Sequence, residues 1–183
     1  MRQFLSSRSG RATLAATALS LAVVGWIVWI GGPEVLRERY GVLGPVVSLA
    51  AHTLVNITPA SDLVPWALAN GAIYGVALGA CLSWLAWLGA AVVHFELASR
   101  AAGEIDVAAH FARLPHWLQR VPVDRPVFLI VARWLPTGAL VTTLAPGALG
   151  VPRRRVLWCA AVGSVPPAVV LALVGSGAWR ALF

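Results

Sequence analysis

Two ionisable residues stand alone among long apolar stretches of the chain. Arg133 is the only charged residue in 126–152, and Asp62 separates the uncharged runs 40–61 and 63–95. A planar guanidinium donates paired hydrogen bonds to phosphate and stays charged out of water. A buried carboxylate can balance a cation or take up a proton. The pair therefore predicts recognition of a phosphate group by Arg133, with Asp62 as counter-charge or proton site.

Each residue also has a purely structural interpretation. If its segment is helical, Arg133 lies about 10 Å from the nearer segment end, so its long side chain could snorkel to the interface or cap backbone carbonyls. Asp62 precedes a helix-like run, where a carboxylate caps free backbone amides. An ion at the bilayer centre costs about 2.5 to 3.5 kcal/mol on insertion scales, so such a side chain is usually paired, snorkelling or functional.

The composition places these residues in a membrane. Of the 183 residues, 59% are hydrophobic and 11% are charged. Uncharged stretches cover residues 12–33, 40–61, 63–95 and 156–179, and each reaches or exceeds the roughly 20 residues that span a bilayer as a helix. The sequence predicts an all-α integral membrane protein.

The formal net charge of +7 comes from 14 arginines and no lysine, and the arginines cluster at segment ends. A nucleic-acid surface would alternate basic and aromatic residues, so we expect anionic lipid head groups as partners and no nucleic acid. Positive-inside counting places the N-terminus, residues 100–125 and residues 153–155 in the cytoplasm. Residues 1–33 predict a signal-anchor helix. Exclusive use of arginine is typical of GC-rich bacterial genomes, so we expect a multi-pass protein of the bacterial inner (plasma) membrane.

This orientation requires residues 126–152 to begin and end on the same side of the membrane. The segment is apolar and long enough to enter the bilayer, so it is expected to turn back as a re-entrant hairpin. Pro136 lacks a backbone donor and Gly138 permits unusual backbone geometry, which predicts a break there. Residues 156–179 then form the last span.

A second hairpin is expected upstream. Residues 63–95 would form about 50 Å of helix against a hydrocarbon core of roughly 30 Å. The run must therefore be broken, and Gly71 and Gly75 of "NGAIYG" are the expected break. Hairpin 1 then covers about residues 41–75, with its tip at "ITPASD", and residues 76–99 form the next span.

The two hairpins share a sequence pattern. "ANGAIYGV" at 69–76 recurs as "APGALGV" at 145–151, and each copy is followed by a tryptophan and then a glycine at nearly matching distances. Because the hairpins would enter from opposite sides, the pattern is typical of an inverted repeat. Chance recurrence of small-residue packing is the alternative. The interfacial connector, residues 100–125, joins the halves. Its pattern predicts an amphipathic segment that is either a lipid sensor or a plain connector.

In this order the motifs resemble the DedA/VTT-domain superfamily, also called the SNARE-associated Golgi protein family, over roughly residues 40–178. The motifs are "TPASD" leading to "ANGAIYG", then "FELASR", then "ARWLPTGA" followed by "APGALG", and finally "VGSG". The resemblance implies that residues 34–183 form a membrane domain with two opposed re-entrant hairpins. It also implies movement of phospholipids or a polyprenyl-phosphate carrier between leaflets, in some members coupled to protons.

The resemblance also implies site residues. In this superfamily an acid in the first hairpin and an arginine in the second are tied to activity, and Asp62 and Arg133 occupy those positions. Bacterial DedA proteins typically carry a second arginine shortly after the proline, where this chain has Ala139 or its neighbours. That departure points to the branch of the superfamily lacking the second arginine.

The leading hypothesis is a flippase- or scramblase-like lipid transporter, and the alternative is a non-transporting membrane scaffold or assembly factor. The sequence lacks a GxSxG elbow, an HExxH helix and a Walker loop, so no enzymatic activity is expected. No metal or other cofactor is expected. Protons are a further candidate ligand, and a homo-oligomer is left open.

Beyond Asp62 and Arg133, further residues are expected to shape or support the site. Residues at hairpin breaks and packing positions are Pro59, Gly71, Gly75, Pro136, Gly138, Gly147 and Gly150. Secondary candidates near the cytoplasmic end of the long span are His94, Phe95, Glu96 and Arg100. His94 and Glu96 form either a proton relay or a pair of well-solvated interfacial groups, and Arg100 is expected to be a positive-inside anchor.

Overall fold

A computed structural model of the protein describes residues 41–57, 64–104, 122–135 and 138–182, together with the single positions 22 and 38. Every regular element in these ranges is helical, which confirms the predicted all-α fold class. Some predictions lie outside the described residues: the signal-anchor helix, the hairpin tip with Pro59 and Asp62, most of the connector, and Pro136.

Five α-helices follow one another in the described ranges. They are α1 (Gly44–Ile57), α2 (Val64–Glu104), α3 (Pro126–Val131), α4 (Gly138–Ala148) and α5 (Arg153–Leu182). A 3-10 turn precedes α1 at Gly41–Leu43, and another follows α3 at Ala132–Trp134. Two stretches are long and apolar enough to cross a membrane, Val64–Ala102 and Arg153–Gly177, each with a mean hydropathy of 2.0.

Helix α2 is interrupted at Gly75, whose backbone has φ 76° and ψ 178°. A positive φ is strained for residues with a Cβ, so glycine suits this position. The predicted break thus lies at Gly75, and Gly71 does not share in it. Gly71 is helical, and its Cα lies against the backbone of Ala172 of α5, where a Cβ would overlap. Beyond Gly75 the helix continues to Glu104, five residues past the predicted end of the span at 99.

The second copy of the repeated motif has the same two structural features. Gly150, which matches Gly75, also has a positive φ, of 73°. Gly147, which matches Gly71, packs against Phe95 and Ala98 of α2. The recurrence of the motif therefore extends to a positive φ at the second glycine and to close helix packing at the first.

The predicted break near Gly138 is present. Leu135, the residue before the proline, is extended (φ −84°, ψ 151°), as steric clash with a following proline favours. Helix α4 starts at Gly138, whose Cα lies so close to the carbonyl oxygen of Ala132 that a Cβ would overlap it. Glycine is needed at Gly138 for this close approach.

The chain divides into two compact units. The first unit comprises Met1–Trp87 and Ala168–Phe183, and the second comprises Leu88–Pro167. The first unit contains the first helical pair, α1 and the part of α2 before Gly75. The second unit contains the second helical pair, α3 and α4. Each unit also takes part of each long helix.

Candidate functional site

Arg133 lies in the 3-10 turn at the end of α3, within the second unit, and its side chain is buried with 7% exposed. Its Nη2 donates a hydrogen bond to Oγ1 of Thr143 on α4, at 2.7 Å. The turn ends the helix, so the arginine projects from the point where the second helical pair breaks.

The hydroxyl of Thr143 is oriented to accept from Arg133. It donates its own hydrogen to the carbonyl oxygen of Ala139 at 2.8 Å, which leaves its lone pairs for the guanidinium. Its neighbour Thr142 donates to the carbonyl oxygen of Gly138 at 2.7 Å, and both threonines are buried. Thr143 is therefore a neutral acceptor held in place for Arg133.

The aliphatic part of the Arg133 side chain packs against helix α5. A Cβ at Gly163 would lie 3.2 Å from Cδ of Arg133 and 3.0 Å from the carbonyl oxygen of Ile130. Cys159, one turn earlier on the same face, is fully buried. Small residues on α5 thus make room for the guanidinium stem.

Trp134 fixes the second helical pair to α5. Its Nε1 donates to the carbonyl oxygen of Gly163 at 3.0 Å. In a regular helix that carbonyl would accept from the amide four residues later, but this residue is Pro167, which has no N–H. The indole therefore satisfies a carbonyl that the proline leaves without a partner.

Arg133 has spare donors and no carboxylate partner within the described part of the chain. Its buried Nε makes no hydrogen bond there. Glu96, a carboxylate of the same unit, pairs with Arg153, with 3.2 Å between Oε1 and Nε. A buried cation whose hydrogen bond among the described residues is to a neutral hydroxyl is suited to binding an anion.

The secondary candidates, residues 94–96 and Arg100, lie near the end of α2, in the second unit. Phe95 is buried in a small apolar cluster with Val151 and Val156, Arg100 is exposed, and His94 is half-buried. Across the described ranges, no hydrogen bond or ion pair joins Phe95, Glu96 or Arg100 to Arg133. A role for these three residues in the site stays a prediction.

Sequence reasoning missed Thr143, although a signal was present. Arg133 and Thr143 lie five residues before and after Gly138, so a chain reversal centred on this glycine brings them together. Asp62, the partner expected for Arg133, lies outside the described residues.

A buried polar cluster in the first unit was also missed. Asn70 accepts a hydrogen bond from Ser48 (2.7 Å) through Oδ1, and its Nδ2 lies 3.2 Å from both His52 Nδ1 and Ser83 Oγ. All four side chains are buried. The signal was the spacing of Ser48, His52 and Asn56 at every fourth residue, which places them on one face of an apolar helix.

Comparison with protein-family models matched the VTT domain over residues 61–177, more than half of the chain. Comparisons with curated proteins and with solved structures gave no match. The matched range includes Arg133, Thr143 and both copies of the glycine motif. Together with two helices apolar and long enough to cross a bilayer, the match confirms the resemblance noted in the sequence. The chain therefore belongs to the VTT domain family of DedA and SNARE-associated Golgi proteins, and it is a membrane protein.

Proposed function

We propose that the protein moves a phosphate-bearing lipid between the leaflets of a membrane, as a flippase- or scramblase-like transporter and not as an enzyme. The family supports the general class, since VTT domain proteins are membrane proteins thought to be involved in lipid transport. The lipid is a phospholipid or a polyprenyl phosphate, and the membrane is the bacterial inner membrane with the N-terminus in the cytoplasm.

The observation that carries the proposal is the burial of Arg133 without a described anionic partner. Removing a guanidinium from water is costly unless it is paired and hydrogen-bonded. Among the described residues, the neutral bond to Thr143 offsets only part of that cost. A lipid phosphate supplies both the missing charge and acceptors for the unpaired Nε.

The neutral partner also suits a site that must release its ligand. A phosphate oxygen forms a stronger, charge-assisted hydrogen bond with Arg133 than a hydroxyl does, so phosphate can replace Thr143. When the lipid leaves, Thr143 accepts from Nη2 again, since Ala139 holds its hydroxyl in the same orientation. Arg133 is thus never left wholly without a partner, which lowers the barrier to exchange.

Helix lengths support a re-entrant arrangement of the second helical pair. Helix α4 has 11 residues, about 16 Å of helix, and α3 with its 3-10 turn is shorter. Neither can cross a hydrocarbon core of about 30 Å. We propose that the pair enters and leaves on one side, which places Arg133 near the turn and at depth.

The first helical pair supports the same arrangement in inverted orientation. Helix α1 has 14 residues, about 21 Å, and the part of α2 before Gly75 is shorter. The matched pairs Gly71 with Gly147 and Gly75 with Gly150 support an inverted repeat of two opposed hairpins. Under this proposal Asp62, in the first hairpin, provides a counter-charge or a proton site.

Lipid exchange in proteoliposomes tests the function. A fluorescent phospholipid in the inner leaflet is protected from dithionite unless the protein moves it outward. We expect the full chain to accelerate quenching, and we expect Arg133→Gln to lower the rate at least tenfold. Arg154→Gln is the matched control, because Arg154 is an exposed arginine of the same unit, and it should retain the wild-type rate.

The alternative role as a non-transporting scaffold makes the opposite prediction. Folded wild-type protein would then leave the inner-leaflet signal protected, as in protein-free vesicles. A rate that is equal in wild type and Arg133→Gln would likewise exclude the site described above.

A further inference from the structure

The first unit contains two buried ring nitrogens without a described hydrogen-bond partner, one in the polar cluster and one beside it. Nε2 of His52 and Nε1 of Trp66 make no hydrogen bond to any described residue. Their rings are neighbours, with centroids 5.9 Å apart. An unpaired buried donor is costly, and such groups are uncommon in folded proteins.

With the Asn70 amide in this orientation, its hydrogen bonds indicate which His52 nitrogen carries the proton. Because the Asn70 carbonyl oxygen accepts from Ser48, its amide nitrogen faces Nδ1 of His52. That nitrogen must then accept, so the proton of neutral His52 is on Nε2. His52 Nε2–H and Trp66 Nε1–H are therefore both donors.

The surroundings favour an uncharged acceptor. Residues 41–57, 64–87 and 168–179, which make up most of the described first unit, contain no Asp, Glu, Lys or Arg. An anion brought here would lose its hydration without meeting a cation. A hydroxyl would bring another donor that needs its own acceptor, whereas a carbonyl oxygen accepts two hydrogen bonds and donates none.

We propose that His52 and Trp66 bind an ester carbonyl oxygen of a glycerophospholipid. The inference rests on the proposed lipid transport and narrows its substrate class, because a polyprenyl phosphate has no ester carbonyl. Both nitrogens are closed to solvent in this conformation, so a lipid reaches them only through a local opening of the packed helices. The pair is a second binding site, separate in chemistry from the charged site at Arg133.

A comparison of diester and diether lipids tests this site. The two forms of a head-group-labelled phosphatidylethanolamine have the same charge and chains and differ in the carbonyl groups. We expect the wild-type protein to move the diester lipid roughly tenfold faster than the diether lipid, as two lost hydrogen bonds predict. Native mass spectrometry of the purified full chain should show matching preferential retention of the diester form.

Conservative variants test whether His52 and Trp66 cause the preference for the diester lipid. Trp66→Phe removes the indole N–H and keeps an aromatic ring, so it should slow the diester lipid and leave the diether lipid unchanged. His52→Gln keeps a donor near Nε2 and should retain more of the preference than His52→Leu. Trp87→Phe is the matched control, because Trp87 also lies beside the His52 ring, at 6.3 Å, and its nitrogen is not one of the unpaired donors.

The outcomes separate this inference from the proposed function. Equal rates and equal retention of the two lipids in the wild type would overturn the proposal that His52 and Trp66 bind an ester carbonyl, even if transport is demonstrated. Equal slowing of both lipids by Trp66→Phe would also overturn it, since that result indicates a packing role. Preferential retention of the diester lipid without movement would support the donor pair and contradict transport.

Discussion

Arg133 and Thr143 are joined by a hydrogen bond of 2.7 Å across the break of the second helical pair. The bond places a buried cation against a neutral hydroxyl, with no carboxylate among the described residues to balance it. The threonine is itself held by the carbonyl of Ala139. The hydrogen bond leaves the Arg133 guanidinium able to bind an anion and still gives it a partner when no anion is bound.

Thr143→Val should destabilise the protein and make it more dependent on anionic lipid. The variant keeps the side-chain shape and removes the acceptor of Arg133, which should lower the free energy of unfolding by about 1 to 3 kcal/mol. Thermal melting in detergent measures this loss. Added anionic phospholipid should restore more stability to Thr143→Val than to Thr142→Val, whose hydroxyl contacts only backbone carbonyls. Equal restoration would argue against phosphate binding at Arg133.

Trp134→Phe should destabilise the protein in a way that depends on Pro167. Loss of the indole N–H leaves the Gly163 carbonyl without a partner, at a cost of about 1 kcal/mol. In a Pro167→Ala background the helix can supply its own amide to that carbonyl, so the cost of Trp134→Phe should fall to less than about half of this value. A double-mutant cycle of melting temperatures measures the coupling. If the effects of Trp134→Phe and Pro167→Ala on stability are additive, Pro167 is not the reason that the Gly163 carbonyl needs the indole.

Gly138→Ala should prevent correct folding of the second helical pair. Its Cβ would overlap the carbonyl oxygen of Ala132, and backbone cannot yield as a flexible side chain can, so we expect a loss of at least about 2 kcal/mol. Gly177→Ala is the control, since nothing lies within 4 Å of a Cβ there. That control should be neutral or slightly stabilising, because alanine favours a helix. A similar melting temperature for both variants would show that the close approach is absent.

Gly75→Ala and Gly150→Ala should have similar, moderate effects. Both positions have a positive φ and open space around a Cβ, so each change adds about 1 to 3 kcal/mol of backbone strain and no clash. Asparagine tolerates left-handed helical geometry better than alanine, but the ψ of 178° at Gly75 lies outside that region, so Gly75→Asn should be as destabilising as Gly75→Ala. Thermal melting of the three variants checks the pattern. A large difference between the two sites would contradict their equivalence in the repeat.

Much of the helical framework could be predicted because it depends on local chemistry. Proline and glycine set the break near Gly138, and the repeated motif indicated Gly75 and Gly150 as related positions. Gly71 was assigned to the same break because glycine permits both a turn and close packing, and sequence alone does not distinguish these roles. Its contact with Ala172 depends on how distant helices pack.

Side-chain partners were harder to predict because they depend on helix register. Thr143, the described partner of Arg133, was not predicted because the chain reversal at Gly138 brings it close, whereas Asp62, the predicted partner, lies outside the described residues. Likewise, the position of His52 beside Asn70 joins residues 18 apart, and it requires the rotation of α1 against α2. An apolar sequence constrains such rotations weakly, since most faces of these helices are hydrophobic.

Head-group selectivity tests most directly the central claim that Arg133 recognises a lipid phosphate. In proteoliposomes, exchange of a labelled phospholipid is compared with exchange of a labelled glycosyl diacylglycerol, which has ester-linked chains and no phosphate. We predict at least tenfold faster exchange of the phospholipid by wild-type protein, and loss of that preference in Arg133→Gln. A preference that persists in folded Arg133→Gln, or wild-type protein that moves both lipids equally, would contradict the account.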